Sequence, residues 1–339
     1  MEKLEVLPSV SRLSERVVRI LGQNPGKFTL QGTNTYLVGA RNPYTLIDTG
    51  EGREEYIPVL EATLRDIAKP VNPEEPDISD IVISHWHHDH VGGLPTVLAL
   101  LKKLWTERNS ATPFKPPRIH KFPLPPSSDE SPFTRNTIPD LVKSIDPALY
   151  TSADNGDVFH ALSHSQILSA PSTSLHVLHA PGHTEDLVCL YIPEDKAVYT
   201  SDNVLGQGTA VFEDLSKYIS SLQSLLDFGK QPGNEFAILY PGHGPVVNDG
   251  ADLISTYIKH RLEREEQVLQ VLKASAAEAS AAPTTTWTIV SIIYASYPES
   301  LWLPAAHSVS LHMEKLVKDG RVKKLGGEGK DTAWQLIDG

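Results

Sequence analysis

Ten consecutive residues constrain this chain more than the rest of its 339: Ser84-His85-Trp86-His87-His88-Asp89-His90-Val91-Gly92-Gly93. They follow a short apolar strand pattern, Ile81-Val82-Ile83, and precede a helical pattern over Pro95 to Leu104. Residues two apart in an extended chain point to the same side, so His85 and His87 face one point. Asp89 and His90 fall where the chain turns into the helix and can face back to it. Gly92 and Gly93 permit close backbone approach. Three imidazoles and a carboxylate within six residues make a nitrogen and oxygen donor set suited to zinc.

Further ligands are needed, and three later segments offer them. His183 lies in Ala180-Pro181-Gly182-His183-Thr184, Asp202 in Tyr199-Thr200-Ser201-Asp202-Asn203, and His243 in Tyr240-Pro241-Gly242-His243-Gly244. Each follows an apolar strand pattern on a loop, where scaffolds place functional side chains. One histidine near one aspartate is ordinary surface chemistry; a series of such segments, each after a strand, is not expected by chance. His88, though inside the motif, reads as a loop residue. His120, His160, His164, His176, His179, His260, His307 and His312 have no ligand context and read as surface or packing residues. Cys189 is the sole cysteine and sits in an apolar run, so it reads as a buried small hydrophobe. One cysteine allows neither an intramolecular disulfide nor a cysteine zinc cluster, and agrees with a reducing compartment.

The length suggests two domains. A 40% hydrophobic and 21% charged composition excludes a collagen-like, coiled-coil or wholly disordered chain. The net charge of −12 disfavours nucleic acid by bulk electrostatics, although bound metal charge offsets that field locally. No apolar run reaches the roughly 18 residues a membrane helix needs. The first residues mix Glu2, Glu5 and Glu15 with basic residues and lack an apolar signal region. The expected location is the cytoplasm or mitochondrial matrix, not the secretory route.

Strands are expected at Val17–Leu21, Asn34–Val38 and Tyr44–Ile47, the last two as a hairpin, then at Asp80–Ser84. A second strand-rich half covers Ser174–Leu178, Asp186–Ile192, Ala197–Thr200 and Ala237–Tyr240. Tyr56–Ala68 and Leu215–Phe228 read as helices. Thr112 to Pro147 holds nine of the 26 prolines and reads as a surface excursion. A long helix is expected over Ala251–Ala274, a linker over Ser275–Thr286, then helices at Trp287–Ala295 and Leu301–Lys318. A hairpin of Arg321–Leu325 and Thr332–Ile337 completes a winged-helix pattern. The expected division is residues 1–250 as a catalytic domain and 251–339 as helix, linker and winged tail.

With these motifs in order, the chain resembles the metallo-β-lactamase superfamily, whose signature is H-x-H-x-D-H followed by a later His, an Asp and a final His. The resemblance implies a four-layer αββα sandwich with the small winged tail appended. It implies two zinc ions, with manganese or iron accepted by the same donors. His85, His87 and His183 would hold one, Asp89, His90 and His243 the other, and Asp202 would bridge them. Asp89 and Asp202 would be the catalytic carboxylates. Asp48, in Ile47-Asp48-Thr49-Gly50, matches a residue that orients the ligand loop, although a loop aspartate that caps a turn is equally common. Thr33, Asn34 and Asn203 sit on loops beside these ligands and are candidates for positioning substrate.

The runs from Gly22 to Gly39 and from Gly206 to Leu215, and the helix at Lys259-His260-Arg261, resemble the β-lactamase-like protein 2 group. The likeness covers nearly the whole chain apart from the proline-rich stretch. Its animal member is an endoribonuclease that cuts single-stranded RNA, and its fungal relatives are thioesterases that release polyketides from an acyl carrier protein. Those relatives tend to carry glycine where this chain has His88. The resemblance implies a hydroxide held between two metals that attacks a phosphodiester in single-stranded RNA or, alternatively, an acyl-thioester on a carrier. A non-catalytic binding module on the same fold is a third possibility, opposed by the intact ligand set. No membrane partner is expected, and the oligomeric state is not legible. Lys315, Lys318, Arg321, Lys323 and Lys324 make the tail locally basic, which is first a solvated face.

Overall fold

A computed structural model describes residues 4–67, 72–124, 137–277 and 283–337. Seven strands form the first sheet in sequence order: β1 (Val10–Arg12), β2 (Val17–Leu21), β3 (Asn34–Val38), β4 (Tyr44–Ile47), β5 (Ile78–Ile83), β6 (Arg118–Lys121) and β7 (Phe159–Ala161). The second sheet holds β8 (Ile167–Ala170), β9 (Thr173–His179), β10 (Val188–Ile192), β11 (Ala197–Ser201) and β12 (Ile238–Pro241), in the order β12-β11-β10-β9-β8. The expected hairpin is present, with Tyr36 opposite Ile47 and Val38 opposite Thr45.

Strand alternation builds the layers. On β5, Ile81 and Ile83 face one way, into a core with Leu60 of α1 (Tyr56–Ala62). Leu94, Val97, Leu98 and Leu101 of the helix Leu94–Arg108 fill the same core. Val82, between the two isoleucines, faces the other way and meets Val177, Val188, Leu190 and Tyr199 of the second sheet. The far face of that sheet packs Cys189, Val198 and Leu239 on Leu215, Leu222 and Leu225 of the helix Leu215–Gly229. The result is the αββα sandwich. Burial pushes the Cys189 thiol up to about 12, so it is an inert core residue.

The remaining helices, numbered in chain order, are α2 (His88–Val91), α3 (Leu94–Arg108), α4 (Ile138–Lys143), α5 (Leu215–Gly229), α6 (Gly250–Ala277), α7 (Thr286–Ile293) and α8 (Trp302–Lys318). α6 serves two cores. Ile254 and Tyr257 pack into the second-sheet core, while Val268, Leu269 and Leu272 pack with Val309, Met313 and Leu316 of α8. A third sheet of β13 (Thr284–Thr285), β14 (Val322–Gly326) and β15 (Ala333–Leu336) completes the winged helix. Among the described residues no helix is long and apolar enough to cross a membrane.

Two expectations are corrected. Within Thr112–Pro147, Arg118–Lys121 is not an excursion but an interior strand, paired in parallel with β5 and β7. Pro116, Pro117 and Pro123 sit just outside it, where they remove no ladder donor. Residues 125–136 of that stretch lie outside the described residues. The linker expected over Ser275–Thr286 is shorter: α6 runs on to Ala277, Thr284 and Thr285 pair with β15, and Thr286 opens α7. Residues 278–282 of it, like Ala68 at the expected end of the first helix, lie outside the described residues.

β6 also carries a buried ion pair. Lys121 Nζ meets Asp186 on the turn between β9 and β10, with side chains 5% and 0% exposed. Asp186 also accepts from Thr184 Oγ1 (2.9 Å). Burial pulls the lysine below its ordinary range, against the pull of the carboxylate. Lys121→Met strands the Asp186 charge and is expected to cost about 3–5 kcal/mol, measured by urea unfolding. A loss below about 1 kcal/mol would show that the pair does not hold the two sheets.

Candidate metal centre

The ends of β4, β5, β9, β11 and β12 lie at one edge of the sandwich, and every expected ligand lies just after one of them, on a loop or, for Asp89 and His90, on the short helix α2. One ligand atom from each of His85, His87, His183 and Asp202 lies within 4.8 Å of the others; Asp89, His90 and His243 form a second group on the same measure. Asp202 reaches both groups. Its Oδ2 is 3.7 Å from His183 Nε2 and 3.2 Å from His243 Nε2, and its Oδ1 is 3.4 Å from His90 Nε2.

The backbone is shaped for this approach. A β carbon on Gly242 would stand 2.3 Å from Asp202 Oδ1, so only glycine lets the His243 turn close on the carboxylate. Gly182, at φ +136°, would place one 2.3 Å from Tyr218 Cα. Ser201 adopts φ +50°, and the pairing of β11 with β12 shifts register between Tyr199 and Ser201, which re-aims Asp202.

The hydrogen bonds set the tautomers. His183 Nδ1 donates to Val211 O (2.8 Å), which leaves the Nε2 lone pair turned on His87 Nδ1 (3.0 Å). His85 Nε2 stands 2.9 Å from the same atom. His90 Nδ1 donates to Asp48 Oδ2 (2.7 Å) and presents Nε2 to His243 Nε2 at 3.4 Å. Burial and then the neighbouring imidazoles push His85 well below its ordinary pKa; burial and His183 bring His87 to about 3, and burial lowers His183. Burial works against charge on His90 and His243 too, but Asp89, Asp202 and Asp48 raise His90, and Asp202 raises His243 to about 9. Asp202 Oδ1 is buried without a hydrogen bond. Lone pairs turned on one another, carboxylates gathered beside them and an orphaned oxygen are what a divalent cation relieves, so the donors fit metal.

Asp48 lies beneath the centre. Its carboxylate accepts from Ser84 N (2.7 Å), Ser84 Oγ (2.8 Å), His90 Nδ1 and the Tyr199 hydroxyl, and its φ is +59°. Thr33, Asn34 and Asn203 are corrected: all three are fully buried, the two asparagines bonded to backbone carbonyls and Thr33 to Asp89. Thr33 Oγ1 donates to Asp89 Oδ2 (3.3 Å). Asn34 Nδ2 donates to Pro241 O (2.9 Å) and Gly244 O (2.8 Å), clamping the His243 turn; Asn203 Nδ2 donates to Ala180 O (2.7 Å), clamping the His183 turn. Val211 and Tyr199 escaped the sequence reading, because a carbonyl acceptor and an apolar-run tyrosine carry no motif. The cavity over the centre measures about 710 Å³, and Lys27, Phe28, His88, Leu205, Ala210 and Val211 are among its lining.

Asp48→Asn turns an amide N–H₂ against one set of donors and frees the His90 ring. It is expected to weaken metal binding about 10–100-fold, measured by competition with a chromophoric chelator. Unchanged binding would mean that Asp48 only caps its turn.

Residues 28–243 match the metallo-beta-lactamase superfamily, and residues 285–334 match the beta-lactamase associated winged helix domain. A beta-lactamase-like protein 2 homolog of Drosophila melanogaster is 36% identical over 320 residues, 94% of each chain. Atrochrysone carboxyl ACP thioesterase nsrC of Aspergillus novofumigatus is 34% identical over 280 residues, 83% of this chain and 70% of that one. The crystal structure of a beta-lactamase domain protein from Burkholderia ambifaria superposes with a TM-score of 0.66 at 15% identity, covering 98% of this chain and 96% of that one, a likeness of fold. Taken with the ligand loops gathered at one sheet edge, these matches place the chain in the metallo-β-lactamase superfamily, as a metal-dependent hydrolase.

Proposed function

We propose that this hydrolase cuts phosphodiester bonds in single-stranded RNA with two divalent cations, zinc or the manganese or iron that the same donors accept. His85, His87 and His183 would hold one cation and Asp89, His90 and His243 the other, with Asp202 spanning the two. Cations held there supply Lewis acidity: they polarise the scissile group and acidify water. The observation that carries the substrate is the lip of the cavity. The Phe28 ring is 70% exposed, and the Lys27 ammonium lies 5.6 Å from its centroid. An exposed ring beside a cation offers an unpaired base a stacking face and its phosphate a counter-charge. Near full-length similarity to the beta-lactamase-like protein 2 homolog agrees with the group resemblance from which the RNA reading is drawn.

Acyl-thioester hydrolysis is favoured by the apolar part of the lining. Leu30, Leu205, Ala210 and Val211 line the cavity with apolar surface suited to an acyl chain, and one relative is named as an acyl-carrier thioesterase.

One metal-loaded preparation offered single-stranded RNA and an acyl-carrier thioester separates the two. RNA cleavage is expected, with two metals per chain by elemental analysis. His85→Ala and Asp202→Ala should each lower kcat/KM by about 10³-fold. Phe28→Ala, which removes about 1–3 kcal/mol of stacking, should raise KM for RNA at least several-fold with little change in kcat. Thioester turnover without RNA cleavage would sink the RNA assignment in favour of the acyl one.

A further inference from the structure

α6 reaches the metal centre through a loop that carries no ligand. Tyr257 and Arg261 are four residues apart on this helix and so share a face. Above them runs the loop from Leu205 to Asp214, which joins the Asp202 strand to α5. The Tyr257 hydroxyl donates to Gly208 O (2.8 Å) and accepts from Leu205 N (3.3 Å). Arg261 Nη2 donates to Ala210 O (2.8 Å), and its guanidinium lies 4.9 Å from the Phe212 ring centroid and 5.9 Å from that of Tyr218. Arg261 Nε is buried without a hydrogen bond, so the ring faces and Ala210 O are what hold the group.

The residue between Ala210 and Phe212 is Val211, whose carbonyl takes the Nδ1 proton of His183. Tyr218, under the same guanidinium, donates to Asn203 O (2.6 Å), next to Asp202. The winged region adds a strut at the end of the loop, Lys318 Nζ to Asp214 Oδ2 (2.7 Å).

We propose that Arg261 is a positioning residue for the metal centre: with Tyr257 it fixes the Leu205–Asp214 loop, and through Val211 O the tautomer and direction of His183. The proposal rests on the metal centre described above and is independent of which bond is cut. It gives α6 a role in the active site as well as in linking two cores.

The test uses the full chain and the metals themselves. Zinc affinity is measured for both sites by chelator competition, the visible spectrum of the cobalt-loaded protein reports ligand geometry, and thermal unfolding reports folding. Arg261→Met keeps the apolar stem but loses the fork. It is expected to weaken one of the two metals about 10–100-fold and to shift the cobalt spectrum, while the other metal stays near wild-type affinity. Arg261→Lys, still able to donate to Ala210 O, should recover part of the loss, and Tyr257→Phe should weaken the same metal several-fold. Wild-type affinity at both sites with an unshifted spectrum in Arg261→Met overturns the proposal. If that variant does not fold, the same result in Tyr257→Phe overturns it. A wild-type chain that binds no metal overturns the metal centre and this proposal with it, which separates the two failures.

Discussion

One carboxylate joins the parts of this candidate metal centre. Asp48 leaves the end of β4 in a left-handed conformation and collects donors from the residue after β5, from α2 and from β11. Ser84 brings the start of the ligand loop, His90 brings a ligand ring, and Tyr199 brings the facing sheet. A fully buried carboxylate is costly unless its oxygens are saturated with hydrogen bonds, so these donors are bound to it as firmly as it is to them. The spacing of the two sheets at this edge and the aim of His90 are therefore one geometric problem with one solution.

The other ligands are held by the same logic with neutral groups. Two asparagines, Asn34 and Asn203, each clamp one Pro-Gly-His turn through its backbone carbonyls. Val211 O sets His183, and Thr33 touches Asp89. Such contacts fix ring orientation without adding charge, and leave the net field of the centre to its own carboxylates and imidazoles. The apolar lining and the exposed Phe28 then stand over candidate ligands that are held from below.

α6 binds the catalytic sandwich to the tail. Its first turns pack under the cavity loop and its last turns against α8, so one continuous helix touches both. The tail's basic residues are partly spent on this packing: Lys315 pairs with Glu265 and Lys318 with Asp214.

The strand–loop–helix around His85 was legible because ligand chemistry, apolar periodicity and glycine all act over a few residues. The hairpin, the long helix and the wing were legible for the same local reason. Arg118–Lys121 was not: four residues among prolines have too short a pattern to reveal a strand whose only support is its neighbours in the sheet. Thr33, Asn34 and Asn203 were found as residues but misjudged in role, since a loop asparagine looks the same whether it faces substrate or a carbonyl 207 residues away. Sequence alone determined which side chains are competent to hold metal. Tertiary structure decided which way each points, because a hydrogen bond between a ring nitrogen and a distant backbone carbonyl leaves no mark on the residues that supply it.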